Sequence, residues 1–120
     1  MTKAVGDRGE MLVSELLQAN GWRILATQWR CRWGEVDLIA CDHQWLLFIE
    51  VKTRCDRNWD SDGSLAITSQ KQSKIIKTAS LFLYQNPQLD QLACRFDVAL
   101  VRRTGTDLHL QNYIEQAFTA

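Results

Sequence analysis

Residues 34–54 read GEVDLIACDHQWLLFIEVKTR, and this stretch decides the fold. Two apolar arms flank a short polar break at Asp42, His43 and Gln44. Apolar arms on either side of a polar break are typical of two strands joined by a tight turn. The arms nevertheless contain Asp37 and Glu50, although burying a carboxylate without a partner is costly. The pattern predicts a β-hairpin whose acidic side chains need compensation.

A turn centred between His43 and Gln44 fixes the register of this hairpin and places Asp37 opposite Glu50. Side chains alternate between the two faces of a strand. One face is then wholly apolar and predicted to be core, and it consists of Val36, Leu38, Ala40, Leu47, Ile49 and Val51. The other face ends in a charged cluster of Glu35, Asp37, Glu50 and Lys52. A slip of one residue would move Asp37 to the opposite face.

Like charges on directly opposed strand positions destabilise a sheet, and one lysine does not neutralise three acids. A divalent cation is the simplest compensation, because Mg²⁺ binds carboxylate oxygens together with water and phosphate. The alternative is a surface cluster of screened charges in which Lys52 bridges two acids. The acids lie inside apolar arms rather than at exposed ends, and this favours the metal site.

The remaining sequence predicts one domain, residues 1–120, of α/β class. Helical spacing of apolar residues predicts helices at 7–20 and 68–84. Strands are predicted at 22–29, 95–102 and 108–114, in addition to the hairpin. The element order is α-β-β-β-α-β-β, a mixed sheet flanked by helices.

Composition limits the possible functions. The chain has 14 basic and 14 acidic residues, and a zero net charge counts against a nucleic-acid-binding protein. No apolar run is long enough to span a bilayer, and the first residues lack the apolar core of a signal peptide, so we expect no membrane association and a cytoplasmic location. Four cysteines without a CxxC pair fit reduced thiols better than a zinc site.

The spacing of Asp37, Glu50 and Lys52 resembles the PD-(D/E)XK nuclease motif. Further blocks agree in order along the chain: GDRGEMLVSELLQANGWRIL, GEVDLIA, FIEVKTR, ITSQKQSKI, RFDVALV and IEQAF. Together they are similar to the YraN family of uncharacterised bacterial proteins. That resemblance implies a restriction-endonuclease-like fold, similar to archaeal Holliday junction resolvases.

The resemblance also implies a metal-dependent endonuclease that hydrolyses DNA phosphodiesters. Asp37, Glu50 and the Val51 carbonyl would hold Mg²⁺, with Mn²⁺ as an alternative ion. Lys52 would orient a water molecule or stabilise charge on the phosphate. Glu10, in GDRGE, takes the place of an acid that joins the resolvase site from the first helix. The expected substrate is branched or structured DNA in recombination or repair, and two symmetric cuts would need a homodimer.

Lys71 matches a basic residue at the start of the second helix, and with Lys74 and Arg54 it is expected to contact DNA phosphate. Such a run of lysines is also typical of a solvated helix face. Two other functions stay open: a non-catalytic nucleic-acid-binding protein of the same fold, and a protein-interaction subunit.

Three further residues have open roles. Asp97 lies in an apolar strand and is expected to be a structural carboxylate paired with Arg95 or a backbone amide. Trp33 and Trp59 are the tryptophans best placed for base stacking.

Overall fold

Two helices flank a five-stranded sheet in the computed structural model, which describes residues 3–54 and 67–120. The elements in chain order are α1 (Lys3–Ala19), β1 (Arg23–Cys31), β2 (Gly34–Cys41), β3 (Trp45–Arg54), α2 (Ser69–Gln85), a 3₁₀ segment (Pro87–Leu89), β4 (Ala93–Thr104) and β5 (Asp107–Phe118). The predicted class and element order are confirmed. The polar segment 57–64, with Trp59, lies outside the described residues.

The strands lie in the order β1-β2-β3-β4-β5. All neighbours are antiparallel except β3 and β4, which are parallel. Parallel neighbours need a crossover connection, and α2 lies in the segment that joins them. The sheet is therefore mixed, and α2 lies close to the end of β3, where the acidic residues are.

The predicted hairpin register is confirmed for four pairs: Leu38–Ile49, Ile39–Phe48, Ala40–Leu47 and Cys41–Leu46. The Asp42 carboxylate closes the turn by accepting the backbone N–H groups of Gln44 at 2.8 Å and Trp45 at 2.7 Å. The backbone pairing of β2 with β3 ends at Leu38 and Ile49, the positions next to Asp37 and Glu50. Beyond that point a side-chain oxygen of Asp37 accepts the backbone N–H of Val51 at 2.8 Å.

Both faces of the hairpin are core, whereas the sequence predicted one apolar face and one that became charged. α2 covers a cluster that includes Ile39, Phe48, Ile75, Phe82 and Phe96. α1 covers a second cluster that includes Val13, Leu17, Leu38, Leu47 and Ile49. Burial on both faces explains why the arms read as almost continuous apolar runs.

Val36 was predicted to share a face with Leu38, but it packs in the cluster on the α2 side, whereas Leu38 packs on the α1 side. In the register of β1 with β2, Thr27 pairs with Leu38 and Trp29 pairs with Val36, which leaves Gln28 opposite Asp37. Gln28 has φ 49°, and a left-handed residue in a strand disturbs the regular alternation of side chains. The irregularity lies beside the acidic pair.

α1 approaches β3 closely at Gly9. A Cβ atom placed on Gly9 would overlap the Thr53 hydroxyl, so only glycine fits without displacement. Gly9 is buried and Glu10 follows it in α1, so this close contact sets the distance between Glu10 and the sheet. Along the described ranges, no helix combines the length and the apolar character needed to cross a membrane.

Candidate functional site

The carboxyl groups of Asp37 and Glu50 lie where β2 and β3 cease to pair. Each residue is only 6% exposed. Asp37 Oδ2 accepts the Val51 backbone N–H at 2.8 Å. Two buried acids on adjoining strands are expensive to ionise together, so one of them must keep a proton or both must be compensated by positive charge.

The pKa of Asp37 reflects the cost of ionising both acids. Burial raises the pKa of Asp37, the negative charge of Glu50 raises it further, and the total outweighs the Val51 hydrogen bond, so that the pKa reaches about 8. Glu10 adds a smaller contribution of the same sign. Without a bound cation Asp37 therefore keeps its proton at neutral pH.

Two lysines neutralise Glu50. Lys71 Nζ lies 2.9 Å from Glu50 Oε1, and Lys52 Nζ lies 3.7 Å from the same oxygen. Burial lowers the pKa of Lys52 to about 8, and the neighbouring Lys71 contributes to the same shift. Burial also lowers the pKa of Lys71, but its hydrogen bond with Lys52 and its attraction to Glu50 outweigh burial, so that this pKa is raised. The sequence placed Lys71 on a DNA-binding rim, whereas here its ammonium reaches into the site.

The donor set fits a hard divalent cation. Asp37 and Glu50 supply carboxylate oxygens, and Val51, whose carbonyl is the predicted third ligand, is bonded to Asp37 through its N–H. In the ranges 3–54 and 67–120, no three His, Cys, Asp or Glu side chains form a metal-ligand group. An ion here would draw its other ligands from backbone, water or phosphate, as Mg²⁺ usually does.

Glu10 lies at the α1 edge of the site and is half-buried. Burial raises the pKa of Glu10, a hydrogen bond from Gln28 opposes this, and the charge of Glu35 adds to the rise. Gln28 Nε2 donates to Glu10 Oε1 at 3.0 Å and to Asp7 Oδ1 at 2.7 Å. The left-handed backbone of Gln28 aims this amide at α1, and strained residues often lie at functional sites. Sequence reasoning missed Gln28, whose only signal was a polar residue in an apolar strand.

Glu35 is not part of the buried pair. Its carboxylate accepts Arg30 Nε at 2.7 Å across β1 and β2, and about a third of its side chain is exposed. The predicted cluster of four charges is therefore smaller, since Glu35 is neutralised by a partner on β1 that the hairpin alone did not reveal.

The other predicted DNA contacts lie at the edge of the site. Arg54 is exposed at the end of β3, and its Nη1 donates to the Thr53 carbonyl at 3.0 Å. Lys74 is exposed on α2, three residues after Lys71, and packs beside Gly34.

Asp97 is a structural carboxylate, as predicted. It lies in register with Ile49 on the α1 side of the sheet and is 1% exposed. Arg95 donates to both of its oxygens at 2.9–3.1 Å, Tyr113 donates its hydroxyl at 2.6 Å, and Gln116 donates its backbone N–H at 3.0 Å. All its acceptor capacity is used, so it has no oxygen left for catalysis.

The comparison with known proteins matches this chain to one family. The model of a family described as "Uncharacterised protein family UPF0102" matches residues 9–101. The chain belongs to the UPF0102 family. UPF0102 is the YraN family, so the predicted resemblance is confirmed. The matched span of the UPF0102 protein contains Glu10, Asp37, Glu50, Lys52 and Lys71.

Three UPF0102 proteins are similar to this chain over nearly their whole length. The UPF0102 protein of Thermosynechococcus vestitus is 53% identical over 116 residues, which cover 96% of this chain and 94% of the relative. A UPF0102 protein of Synechococcus sp. (strain JA-3-3Ab) is 49% identical over 118 residues, 95% of this chain and 90% of the relative. A UPF0102 protein of Nostoc sp. is 42% identical over 130 residues, 95% and 93% of the two chains.

Proposed function

We propose that this UPF0102 protein is a Mg²⁺- or Mn²⁺-dependent endonuclease that hydrolyses DNA phosphodiesters. The observation that supports this most is the pairing of Asp37 with Glu50. Both are buried on adjoining strands, and burial together with the negative charge of Glu50 raises the pKa of Asp37 enough to keep a proton on it in the absence of a cation. A buried carboxyl with a raised pKa, beside a second carboxylate and two lysines, is the kind of arrangement that marks a candidate catalytic site.

Each residue has a separate role in the proposal. Asp37 and Glu50 hold the divalent ion. When bound, the ion polarises the phosphate and makes an attacking water more acidic. Lys52 lies two residues from Glu50 on the same strand face, so both side chains reach one phosphate while Val51 points away. The Lys52 ammonium stabilises the charge that develops on that phosphate.

Lys71 changes partner on binding. In the free protein it neutralises Glu50 at 2.9 Å. A divalent ion would take over that neutralisation, because it repels the ammonium and attracts the carboxylate. Lys71 then becomes available to a DNA phosphate next to the one that is cleaved, together with Lys74 and Arg54.

The proposed substrate is branched or structured DNA, and the proposed active form is a homodimer that makes two cuts. The zero net charge does not oppose this, since the cations concentrate along α2 and the end of β3. Phosphate contacts of this kind bind DNA without regard to sequence.

A non-catalytic nucleic-acid-binding protein is the second candidate, and one observation favours it. Lys71 and Lys52 already satisfy Glu50, and a proton satisfies Asp37. The site is thus electrically balanced without a metal. A protein-interaction subunit with no nucleic-acid role, the third function, differs from both because it would show no salt-sensitive binding to DNA.

A nuclease assay with purified protein tests the proposal. Linear, flapped and four-way DNA are incubated with Mg²⁺, Mn²⁺ or EDTA, and Glu50→Ala prepared in parallel controls for contaminating nucleases. The proposal requires cleavage by the wild type that depends on the metal and is lost in Glu50→Ala. Equal cleavage by the two proteins, or none by either, would reject it.

A further inference from the structure

Trp33 lies on the turn between β1 and β2 with its indole 39% exposed. The turn is held in place: the Trp33 backbone N–H donates to Cys31 Sγ at 3.3 Å, and that sulfur contacts Thr78 Oγ1 of α2 at 3.6 Å. The ring therefore has a fixed position next to α2.

Two cations lie over this ring. Arg32 Cζ is 4.6 Å and Lys77 Nζ is 5.0 Å from the ring centroid. Both side chains are exposed, so solvent screens their attraction to the indole. Each can leave the ring for a stronger anionic partner, such as a phosphate, and so uncover the face of the indole.

The ring and the acidic pair stand at two ends of one row of lysines. Lys71, Lys74 and Lys77 follow each other at intervals of three residues, which is about 4.5 Å per step along a helix axis and about 9 Å in all. Lys71 contacts Glu50 at one end, and Lys77 contacts Trp33 at the other. A row of this length can contact neighbouring phosphates of one DNA strand.

We propose that Trp33 stacks on an unpaired nucleobase of the substrate, a few nucleotides from the phosphate held at Asp37 and Glu50. Arg32 and Lys77 then contact the phosphates on either side of that base. A base within a duplex has both faces covered by its neighbours, whereas an unpaired base offers a free face to an aromatic ring. The site would thus prefer DNA with unpaired bases near a branch over a continuous duplex. This inference rests on the proposed function, since it names the substrate class of that same site.

The test compares binding of Trp33→Ala, Trp33→Phe and Tyr84→Ala with that of the wild type. Tyr84 is the matched control, because it is an aromatic residue that is 83% exposed and lies at the end of α2 away from Lys71. Fluorescence anisotropy in EDTA measures the affinity for labelled oligo(dT), for a continuous duplex, and for four-way junctions with and without unpaired thymines at the branch. The melting temperature of each variant checks that it is folded.

Trp33→Ala should weaken binding to oligo(dT) and to the junction with unpaired bases by about 5- to 100-fold, the usual range for losing one stacked base. Its affinity for the continuous duplex should change less than about twofold, a margin smaller than any stacking loss. Trp33→Phe should restore most of the loss, and Tyr84→Ala should cause none.

An equal loss on all four probes, or no loss on any, would overturn the stacking role and leave Trp33 as a support for the turn. These outcomes leave the nuclease proposal intact if Lys74→Ala, whose lysine is exposed without a metal, still weakens binding. If the wild type binds none of the probes at low salt, either in EDTA or with Ca²⁺ in place of Mg²⁺, both the stacking role and the proposed function fail.

Discussion

Replacing Asp37 by asparagine removes the titrating acid but keeps an oxygen that can accept the Val51 N–H. In the metal-free protein, this change should alter how the free energy of unfolding depends on pH. The pKa of Asp37 is raised from 3.8 to about 8, first by burial and then by Glu50. The folded state thus keeps a proton that the unfolded state releases. Stability from this group is complete below pH 3.8 and is lost as pH rises towards 8.

The size of the effect follows from these two pKa values. Between pH 5 and pH 7 the unfolded chain is ionised at this position and the folded protein is not, so each pH unit changes stability by about 1.4 kcal/mol. The free energy of unfolding of the wild type, relative to Asp37→Asn, should fall by about 2.6 kcal/mol over this range. At pH 8 the variant should be as stable as the wild type or slightly more stable, because cross-strand repulsion is relieved.

Urea unfolding in EDTA at pH 5, 6 and 7 measures the difference. Asp42→Asn is the control, since the Trp45 and Gln44 N–H groups lower the pKa of Asp42, which is then ionised in both states throughout the range. The stability of this control relative to the wild type should not change with pH. Added Mg²⁺ should stabilise the wild type, by about 2.7 kcal/mol at a hundredfold excess over Kd, but not Asp37→Asn.

A wild-type-minus-variant difference that stays constant from pH 5 to pH 7 would refute the reasoning. Asp37 would then be an ordinary ionised carboxylate. A large loss of stability in Asp37→Asn at every pH would instead make Asp37 a structural hydrogen-bonding group.

Two more predictions concern packing and binding. Gly9→Ala should lower the free energy of unfolding by about 1–3 kcal/mol, because the new methyl group overlaps a buried threonine of β3. Gly6→Ala is the control, since no atom lies near its new methyl group and it should cause no such loss. Thermal unfolding compares the two variants. Lys74→Ala should weaken DNA binding equally across sequences and reduce the salt slope by about one unit, measured by titration at several salt concentrations. Lys71→Ala should have the same effect on binding. A salt slope unchanged in both variants would make these lysines only solvating charges.

The hairpin was predictable because its signals are local. The polar break at Asp42 marks the turn, and the register of Ile39 with Phe48 follows from it. The same local pattern placed Asp37 and Glu50 near each other. It could not show that the backbone pairing of β2 with β3 ends at that point, where the Asp37 side chain accepts the Val51 N–H.

What the sequence missed depends on contacts between distant elements. Glu35 pairs with Arg30 because β1 lies beside β2, and Lys71 reaches Glu50 because α2 crosses from β3 to β4. The left-handed conformation of Gln28 has no local signal, as glutamine carries no preference for it. The two cations on Trp33 likewise come from a turn and a helix more than forty positions apart.

The measurement that tests the central claim most directly is single-turnover cleavage of a four-way junction and a matched linear duplex, with Mg²⁺ or Mn²⁺. Wild type, Lys52→Ala and Glu50→Ala are compared, and binding of metal and DNA is measured alongside. Lys52 stabilises charge that grows only in the transition state, so Lys52→Ala should bind within a few-fold of the wild type but lose about 10²-fold or more in rate. Glu50→Ala should lose metal binding and turnover together. A wild type that binds DNA but cleaves no structure with either ion would contradict the account and leave the non-catalytic binding protein in its place.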